Sequence, residues 1–171
     1  NGNLFNDVII RKGQGSRVWD ISNNEYVDYL MGSGPMLIGH GHPEVISAVV
    51  DQIENGTTFF AHTEPTIHLA EAIIDALPCA ESVRFSSSGS EATLLAMRAI
   101  RAYRKRDKIL KFEGGFHGMN DYSLMSLMPS SPYDFPKATP DSAGIPKSVQ
   151  TEMLIAPFNN IETTSAIIEH H

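Results

Sequence analysis

The sequence predicts an α/β fold, in which a mostly parallel sheet follows a small N-terminal α+β segment. Apolar runs of strand length lie at residues 82–86, 109–112 and 153–156, and a helical pattern at residues 91–105 separates the first two. A strand, a crossover helix and a second strand form a right-handed parallel unit. We therefore expect these strands to belong to one parallel sheet that the helix covers.

The N-terminal segment is predicted to begin with a β-hairpin. Residues 18–20 and 26–29 are short apolar and aromatic runs, and the turn-forming sequence Ser-Asn-Asn at residues 22–24 separates them. A loop rich in glycine follows at residues 32–41. This loop leads the chain from the hairpin into the first helix.

Four helices are expected along the chain. Pro43 suits the first turn of a helix, and apolar residues recur at helical spacing from there until Asn55 and the glycine that follows it. A second helix is predicted over residues 64–77, a third over residues 91–105, and a last one after Asn159. The third helix carries a face of small side chains that predicts close packing on a sheet, made of Ala92, Ala96, Ala99 and Ile100. The basic side chains at its end complement the negative pole of the helix dipole.

Two breaks interrupt the C-terminal half of the chain. Residues 114–118 read Gly-Gly-Phe-His-Gly, which ends the strand before them. Five prolines, with serines and a glycine between them, occupy residues 127–146. This composition excludes a regular element and predicts a long surface loop, and loops of this length are commonly functional.

Composition and charge exclude several classes of protein. The 171 residues carry a net charge of -7, which argues against a nucleic-acid surface. No apolar run approaches the ~20 residues that span a bilayer, and residues 1–6 lack the pattern of a signal peptide. The single cysteine, Cys79, excludes an intrachain disulfide and predicts a reducing, cytoplasmic location. We expect Cys79 to be a partly buried structural thiol.

The turn between the strand predicted at residues 82–86 and the third helix is a candidate anion site. It reads Ser87-Ser88-Gly89-Ser90, and the N–H groups of a first helical turn have no partner inside the helix. Gly89 allows close approach of the backbone, and the hydroxyls of Ser88 and Ser90 add donors for phosphate oxygens. The alternative is a plain helix cap, since serine is a favoured capping residue. Neither a Walker loop nor a dinucleotide fingerprint is present.

Phe116 and His117 follow the next strand, and ligands of parallel sheets collect at the carboxyl ends of strands. Phe116 is either a core residue or an aromatic platform for a flat cofactor. His117 has either an acid-base role or a structural one. His40 and His42 have a spacing that could bind a metal, but no cysteine or carboxylate cluster accompanies them. We expect them to form a loop that leads into a helix, and we expect no metal site.

These segments follow one another in an order that matches a known family. The matching stretches are residues 18–29, 34–43, 63–64, 85–92, 106–109, 112–118 and 144–146. Two of them contain the motifs Ser88-Gly89-Ser90-Glu91-Ala92 and Phe112-Glu113-Gly114-Gly115-Phe116-His117-Gly118. Taken together they resemble class III aminotransferases, and within that family the glutamate-1-semialdehyde 2,1-aminomutase branch. Because the resemblance covers nearly the whole chain, it is far more specific than any single motif.

The resemblance implies a fold-type I pyridoxal-phosphate enzyme, an α/β/α sandwich that works as a homodimer with its sites at the subunit interface. By position, Gly89 and Ser90 would hold the phosphate of pyridoxal 5'-phosphate (PLP), with Ser88 beside them. Phe116 would stack on the pyridine ring, and His117 would lie next to it.

The resemblance also implies a division of the chain. Residues 1–62 would form the N-terminal segment, and residues 63–171 an incomplete cofactor-binding domain. The loop around Ser33 would approach the substrate. The proline-rich stretch at about 127–147 corresponds to a mobile loop that covers the site in the aminomutase branch.

Two departures from the family pattern limit what this chain can do. Ser33 stands where aminomutases tend to place a tryptophan, which opens space near the substrate. No lysine of the chain matches the Schiff-base lysine, and the aspartate that pairs with the pyridinium nitrogen is also absent. The lysines considered are Lys12, Lys105, Lys108, Lys111, Lys137 and Lys147. Lys105 and Lys108 flank a helix end, and the others are predicted to be surface charges.

We therefore expect an N-terminal fragment that is inactive alone and whose intact parent moves an amino group. Transfer would occur between an amine or amino acid and a keto or aldehyde acceptor, or within one molecule as in the aminomutase. The alternatives are another PLP activity on the same fold, an epimerase or a decarboxylase, and a non-catalytic module that binds a phosphate ligand. The expected partners are small amino and keto substrates, with no nucleic acid and no membrane.

Overall fold

The computed structural model describes residues 8–128 and 134–171. The prediction about a signal peptide at residues 1–6, and the part of the proline-rich loop at residues 129–133, lie outside the described residues. Two compact units divide the chain between Ala76 and Leu77. The predicted division after residue 62 stays a prediction.

The first unit begins with a three-stranded antiparallel sheet. Strands β1 (Ile10–Gln14), β2 (Arg17–Asp20) and β3 (Glu25–Val27) pair in chain order. The predicted hairpin of β2 and β3 is confirmed. Strand β1 was not predicted, because its sequence, Ile-Arg-Lys-Gly-Gln, lacks the alternation of apolar and polar residues that marks a strand.

Two helices follow in this unit, α1 (Pro43–Glu54) and α2 (Glu64–Ala76). As predicted, Pro43 occupies the first turn of α1, and Asn55 caps its end by donating its N–H to the carbonyls of Gln52 and Ile53. The proline at the start and the capping residue at the end therefore set the length of α1.

The second unit contains helix α3 (Gly89–Arg104), strand β4 (Ile109–Phe112), helix α4 (Lys147–Thr151), strand β5 (Met153–Ala156) and helix α5 (Ile161–His170). Strands β4 and β5 pair in parallel, with each residue from Ile109 to Phe112 opposite one from Met153 to Ala156. The parallel α/β class is thus confirmed.

The predicted strand over residues 82–86 is wrong. These residues have no strand assignment. A strand requires a hydrogen-bonded neighbour, and no residue of the described ranges supplies one to this segment. The apolar pattern alone therefore does not make this segment a strand.

The core of the second unit lies on both faces of β5, whose four residues are all buried, as is usual for strands of parallel sheets. Met153 and Ile155 pack with Met125 and Ala138 on one face. The other face forms a second cluster, made of Leu154, Ala156 and Ile167. Helix α5 supplies Ile167 and so covers this second face.

The described part of the proline-rich loop corrects the prediction of a surface loop. Ala138 is buried in the core, and the N–H of Ile155 donates to the carbonyl of Pro136 at 2.9 Å. The loop backbone pairs here because the edge of β5 presents unpaired polar groups. The predicted mobility of the loop stays a prediction.

Two side chains differ from their expected environments. Cys79 is exposed rather than partly buried. The N–H of Ala80 donates to the carbonyl of Leu77 at 2.9 Å, closing a turn in which Pro78 and Cys79 are the central, solvent-facing residues. Lys111 was predicted to be a surface charge and is 5% exposed. It is buried because it points to the same face of β4 as Ile109, which packs against the cluster around Met125.

The small-residue face of α3 also differs from the prediction, since its residues are exposed in the described part of the chain. Met97 is the buried residue of this helix. Among the described helices, none is long and apolar enough to cross a membrane.

Candidate functional site

The candidate site is built on the N-terminus of α3. Ser88 is the residue before the first turn, and its Oγ accepts a hydrogen bond from the N–H of Glu91 at 3.2 Å. The carboxylate of Glu91 in turn accepts one from the N–H of Ser87 at 2.8 Å. The capping role considered for Ser88 is therefore present, and it sets the point at which α3 begins.

This cap leaves hydrogen-bond donors for a ligand. The N–H groups of Gly89 and Ser90 have no partner among the described residues and sit at the positive end of the helix dipole. A side-chain Cβ built on Gly89 would meet no atom within 4 Å, so the space in front of this turn is open. The Oγ atoms of Ser88 and Ser90 accept hydrogen bonds, which leaves each hydroxyl proton free to be donated. The turn can therefore hold an anion with two amide and two hydroxyl donors.

The loop after β4 is tied to the same turn. The hydroxyl of Thr93 donates to the carbonyl of His117 at 2.7 Å, and the N–H of Met119 donates to Oγ of Ser90 at 2.9 Å. Gly118, at φ +100°, is so close that an added Cβ would lie 2.6 Å from Cα of Ser90. The structure thus brings Ser88, Gly89, Ser90, Phe116 and His117 into one neighbourhood.

The ring of Phe116 projects from this loop and is 64% exposed. It is therefore not a core residue, and a flat ligand could stack on it. His117 is exposed beside it. Together, an anion cradle and an aromatic face in adjacent loops suit a ligand with both a phosphate and a planar ring.

Two residues of this neighbourhood were missed from the sequence. Thr93 joins α3 to the loop, and the amide of Asn120 donates to the carbonyl of Ser90 and to the hydroxyl of Thr93, both at 3.3 Å. Since polar residues are ordinary near the start of a helix and in loops, no sequence signal distinguished them.

Ser33 lies in the first unit, at the end of a 3-10 turn over Met31–Ser33, with φ +66° and an exposed side chain. The carboxylate of Asp28 accepts hydrogen bonds from the N–H groups of Leu30 and Met31 at 2.9 and 3.0 Å. These contacts fix the start of the turn that presents Ser33.

His40 holds Asp28 in place. Nε2 of His40 and Oδ2 of Asp28 are 2.6 Å apart, and this hydrogen bond lowers the pKa of the Asp28 carboxyl group below its ordinary value. His40 therefore has a partner that orients its ring. Within the described ranges, no group of three or more His, Cys, Asp or Glu side chains could hold a metal ion.

Comparison with known proteins identifies the family. The class III aminotransferase family matches residues 2–170, and the chain belongs to this family. It is 45% identical over 157 residues to glutamate-1-semialdehyde 2,1-aminomutase of Methanothermobacter thermautotrophicus, covering 92% of this chain and 36% of that protein. The same enzyme of a Sulfurihydrogenibium species is 40% identical over 164 residues, which cover 96% of this chain and 38% of that protein. The chain thus spans well under half the length of these relatives.

Solved structures agree with this fold. An omega-transaminase from Sphaerobacter thermophilus matches with a TM-score of 0.91 and 35% identity, over 96% of this chain and 38% of that one. A transaminase with PLP bound matches with a TM-score of 0.89 and 34% identity, over the same shares. The fold is that of PLP-dependent transaminases, and family membership indicates pyridoxal 5'-phosphate as the cofactor.

Proposed function

We propose that the full-length protein transfers an amino group between an amine or amino acid and a keto or aldehyde acceptor, using PLP. The observation that carries the proposal is the pairing of free donors on α3 with the exposed ring of Phe116. Intramolecular transfer, as in the aminomutases this chain resembles, is the finer form of the proposal. The identities of 45% and 40% to two such enzymes support it.

In this proposal, the first turn of α3 binds the cofactor phosphate. The N–H groups of Gly89 and Ser90 donate to phosphate oxygens, and the hydroxyls of Ser88 and Ser90 add two more hydrogen bonds. A dianionic group is favoured here, because the helix dipole presents its positive end. The open space in front of Gly89 lets phosphate oxygens approach the backbone.

Phe116 and His117 orient the ring of the cofactor. Phe116 covers one face of the pyridine ring and excludes water from it, and the exposed imidazole of His117 lies beside the ring. PLP supplies an electron sink for the bonds broken during amino transfer. The carbonyl of His117 accepts a hydrogen bond from the Thr93 hydroxyl. The helix that binds the phosphate therefore also fixes the position of the loop that carries Phe116.

Ser33 is the proposed contact with the substrate. Its side chain is short and exposed, and the turn that carries it is fixed by Asp28. A serine in place of a tryptophan opens space near the substrate. The proposed substrates are small amino and keto compounds.

The proposal includes assembly and location. We infer a homodimer, because apolar side chains on the first unit's helix α1 are about half exposed and need a covering surface. They are Val45, Ile46, Val49, Val50 and Ile53. A single cysteine, which cannot form an intrachain disulfide, fits the proposed cytoplasmic location.

We also propose that this chain is inactive by itself. The covalent anchor for the cofactor and the partner of its ring nitrogen are not among the matched motifs. Lys111, the buried lysine, is engaged with two main-chain carbonyls. It is therefore not free to bind an aldehyde.

Gly89→Ala in the full-length protein tests the phosphate site. The added methyl group meets no protein atom and replaces glycine at the first position of α3, so stability should stay the same or rise by less than the about 1 kcal/mol that this change gives inside a helix. The methyl group would crowd a bound phosphate, so we expect the PLP dissociation constant to rise about tenfold, as measured by absorbance titration.

The control separates this effect from a loss of folding. The Gly89→Ala protein without PLP should unfold at the same temperature as the wild type or at a slightly higher one. Unchanged PLP affinity in this variant would place the phosphate elsewhere. A wild-type protein with no PLP absorbance band and no amino-transfer activity would overturn the proposed function itself.

A further inference from the structure

Lys111 is a buried cation in the core of the second unit. It lies on β4 between Leu110 and Phe112 and opposite Ile155 of β5. Its Nζ donates to the carbonyl of Ser123 at 3.0 Å and to that of Met125 at 2.5 Å. These two hydrogen bonds join β4 to residues 12 and 14 positions further along the chain.

The two carbonyls mark where the loop that carries Phe116 and His117 returns to the core. That loop leaves β4 after Phe112, the residue next to Lys111, and comes back at Ser123. A second closure lies beside it, because the N–H of Gly114 donates to the carbonyl of Ser126 at 2.8 Å. Lys111 therefore joins the departing and the returning ends of one loop.

The middle of the same loop is held by α3, through the bonds to Thr93 and Ser90 described above. The loop is thus attached at its middle to the candidate phosphate site and at its ends to Lys111. Movement of the ends would shift the ring of Phe116 relative to the first turn of α3.

A buried ammonium group carries a cost that an apolar side chain would avoid. Strands buried in parallel sheets are usually apolar throughout, and burial of a charge is unfavourable unless hydrogen bonds compensate. Burial lowers the pKa of Lys111, and the carboxylate of Asp141 acts in the opposite direction. Asp141 itself accepts hydrogen bonds from the N–H groups of Leu127 and Met128, at 2.9 and 3.2 Å. These two residues follow the returning end of the loop.

We propose that Lys111 is a positioning residue, whose buried ammonium group holds both ends of the loop over residues 113–126 and thereby sets the ring platform against the phosphate site. The proposal rests on the proposed function for its effect on PLP. The effect on the loop itself is independent of that function.

The test compares Lys111→Met with Lys111→Arg in the full-length protein. Methionine keeps an apolar stem of similar length but removes the cation and its donors, whereas arginine keeps both. The matched control is Lys137→Met, since Lys137 is an exposed lysine paired with Asp134. Hydrogen exchange of residues 113–126, followed by mass spectrometry without PLP, measures the loop, and absorbance titration measures PLP affinity.

We expect Lys111→Met to speed exchange of residues 113–126 by tenfold or more, since hydrogen bonds from a charged donor are lost. The PLP dissociation constant should rise about tenfold, Lys111→Arg should lie closer to the wild type, and Lys137→Met should match it. Unchanged loop exchange in Lys111→Met would overturn the proposal. Equal acceleration in every segment, or no recovery with arginine, would reduce Lys111 to a general stabilising residue and would also overturn it.

The two proposals fail in different ways. If the wild type does not bind PLP, the proposed function fails, and the exchange data still decide whether Lys111 holds the loop. If neither variant folds, the test uses the wild-type protein in mild denaturant. The rate at which the buried amine of Lys111 is acetylated is then compared with the exchange rates of the loop amides. Loop amides that exchange in the same opening event as Lys111 becomes reactive support the proposal. Amides that open well before Lys111 is exposed contradict it.

Discussion

At the scale of single residues, Asp20 shows how one carboxylate organises a turn. It is 7% exposed and accepts hydrogen bonds from the N–H groups of Ser22 and Asn24, the amide of Asn24 and the hydroxyl of Tyr26. The bonds from Asn24 do most to lower the pKa of Asp20 below its ordinary value of 3.8. The hydrogen bond that the Tyr26 hydroxyl donates to Asp20 raises the pKa of Tyr26. These bonds hold the turn between β2 and β3.

Asp20→Asn is expected to lower the free energy of unfolding near neutral pH, because the amide loses charge and acceptor capacity. Since the folded pKa is depressed, the contribution of Asp20 is fully present above pH 3.8 and disappears as the pH falls through the folded value. The stability difference between wild type and variant should therefore shrink below pH 3.8. Chemical denaturation of the full-length protein over a pH series measures it.

Asp75→Asn is the matched control for this series, because Asp75 is an exposed aspartate on α2. It should change stability little at any pH. A difference between wild type and Asp20→Asn that stays constant from pH 7 to pH 2 would show that charge at Asp20 is not what stabilises the turn.

At the scale of elements, α3 and α5 begin with the same kind of cap. Ser88 accepts from the N–H of Glu91 at 3.2 Å, and Asn160 accepts from the N–H of Thr163 at 3.0 Å. In the proposed function, however, the α3 cap also binds a phosphate. The two helices therefore offer a comparison of capping alone with capping plus ligand binding.

Ser88→Ala and Asn160→Ala should each cost about 1 kcal/mol of stability, from the loss of one cap. Ser88→Ala should in addition weaken PLP binding severalfold, whereas Asn160→Ala should leave it unchanged. Thermal unfolding and absorbance titration of the full-length protein measure the two effects. Equal PLP affinities in the two variants would argue against a direct contact between the Ser88 hydroxyl and the phosphate.

Elements with strong local signals were predicted from the sequence almost to the residue. The strands over residues 109–112 and 153–156 agree with the prediction, and the last helix, predicted after Asn159, begins at Ile161. Helix α4 was missed, because it has five residues and follows the proline-rich loop. The strand expected at residues 82–86 has no partner in the described ranges. Pairing, which depends on distant residues, was the part that local pattern could not predict.

At the scale of the whole molecule, apolar surface is exposed on several elements of each unit. On α1 it includes Val49 and Ile53, and on α5 it includes Ile161 and Ile168. Exposed apolar faces of this kind mark interaction sites. In the proposed function, the rest of the full-length protein or its homodimer partner covers these faces.

The chain expressed alone, over residues 1–171, is therefore expected to bind a dye that fluoresces on apolar surfaces and to self-associate at micromolar concentration. The full-length protein should bind less dye per molecule. Dye fluorescence and sedimentation velocity measure both properties. A chain that stays monomeric, binds no dye and binds a phosphate ligand would instead support the non-catalytic module.

The sequence by itself determined the class of fold, the starts of four of the five α-helices in the described ranges to within two residues, and the family, because each depends on local pattern or on motifs in order. It also singled out Ser88, Gly89, Ser90, Phe116 and His117, since turns rich in serine and glycine stand out in a sequence. Only the tertiary structure decided that Lys111 is buried and that Thr93 joins α3 to the loop after β4. A lysine on a short strand or a threonine in a helix carries no local mark of its partners, because those partners are brought close only when distant segments pack.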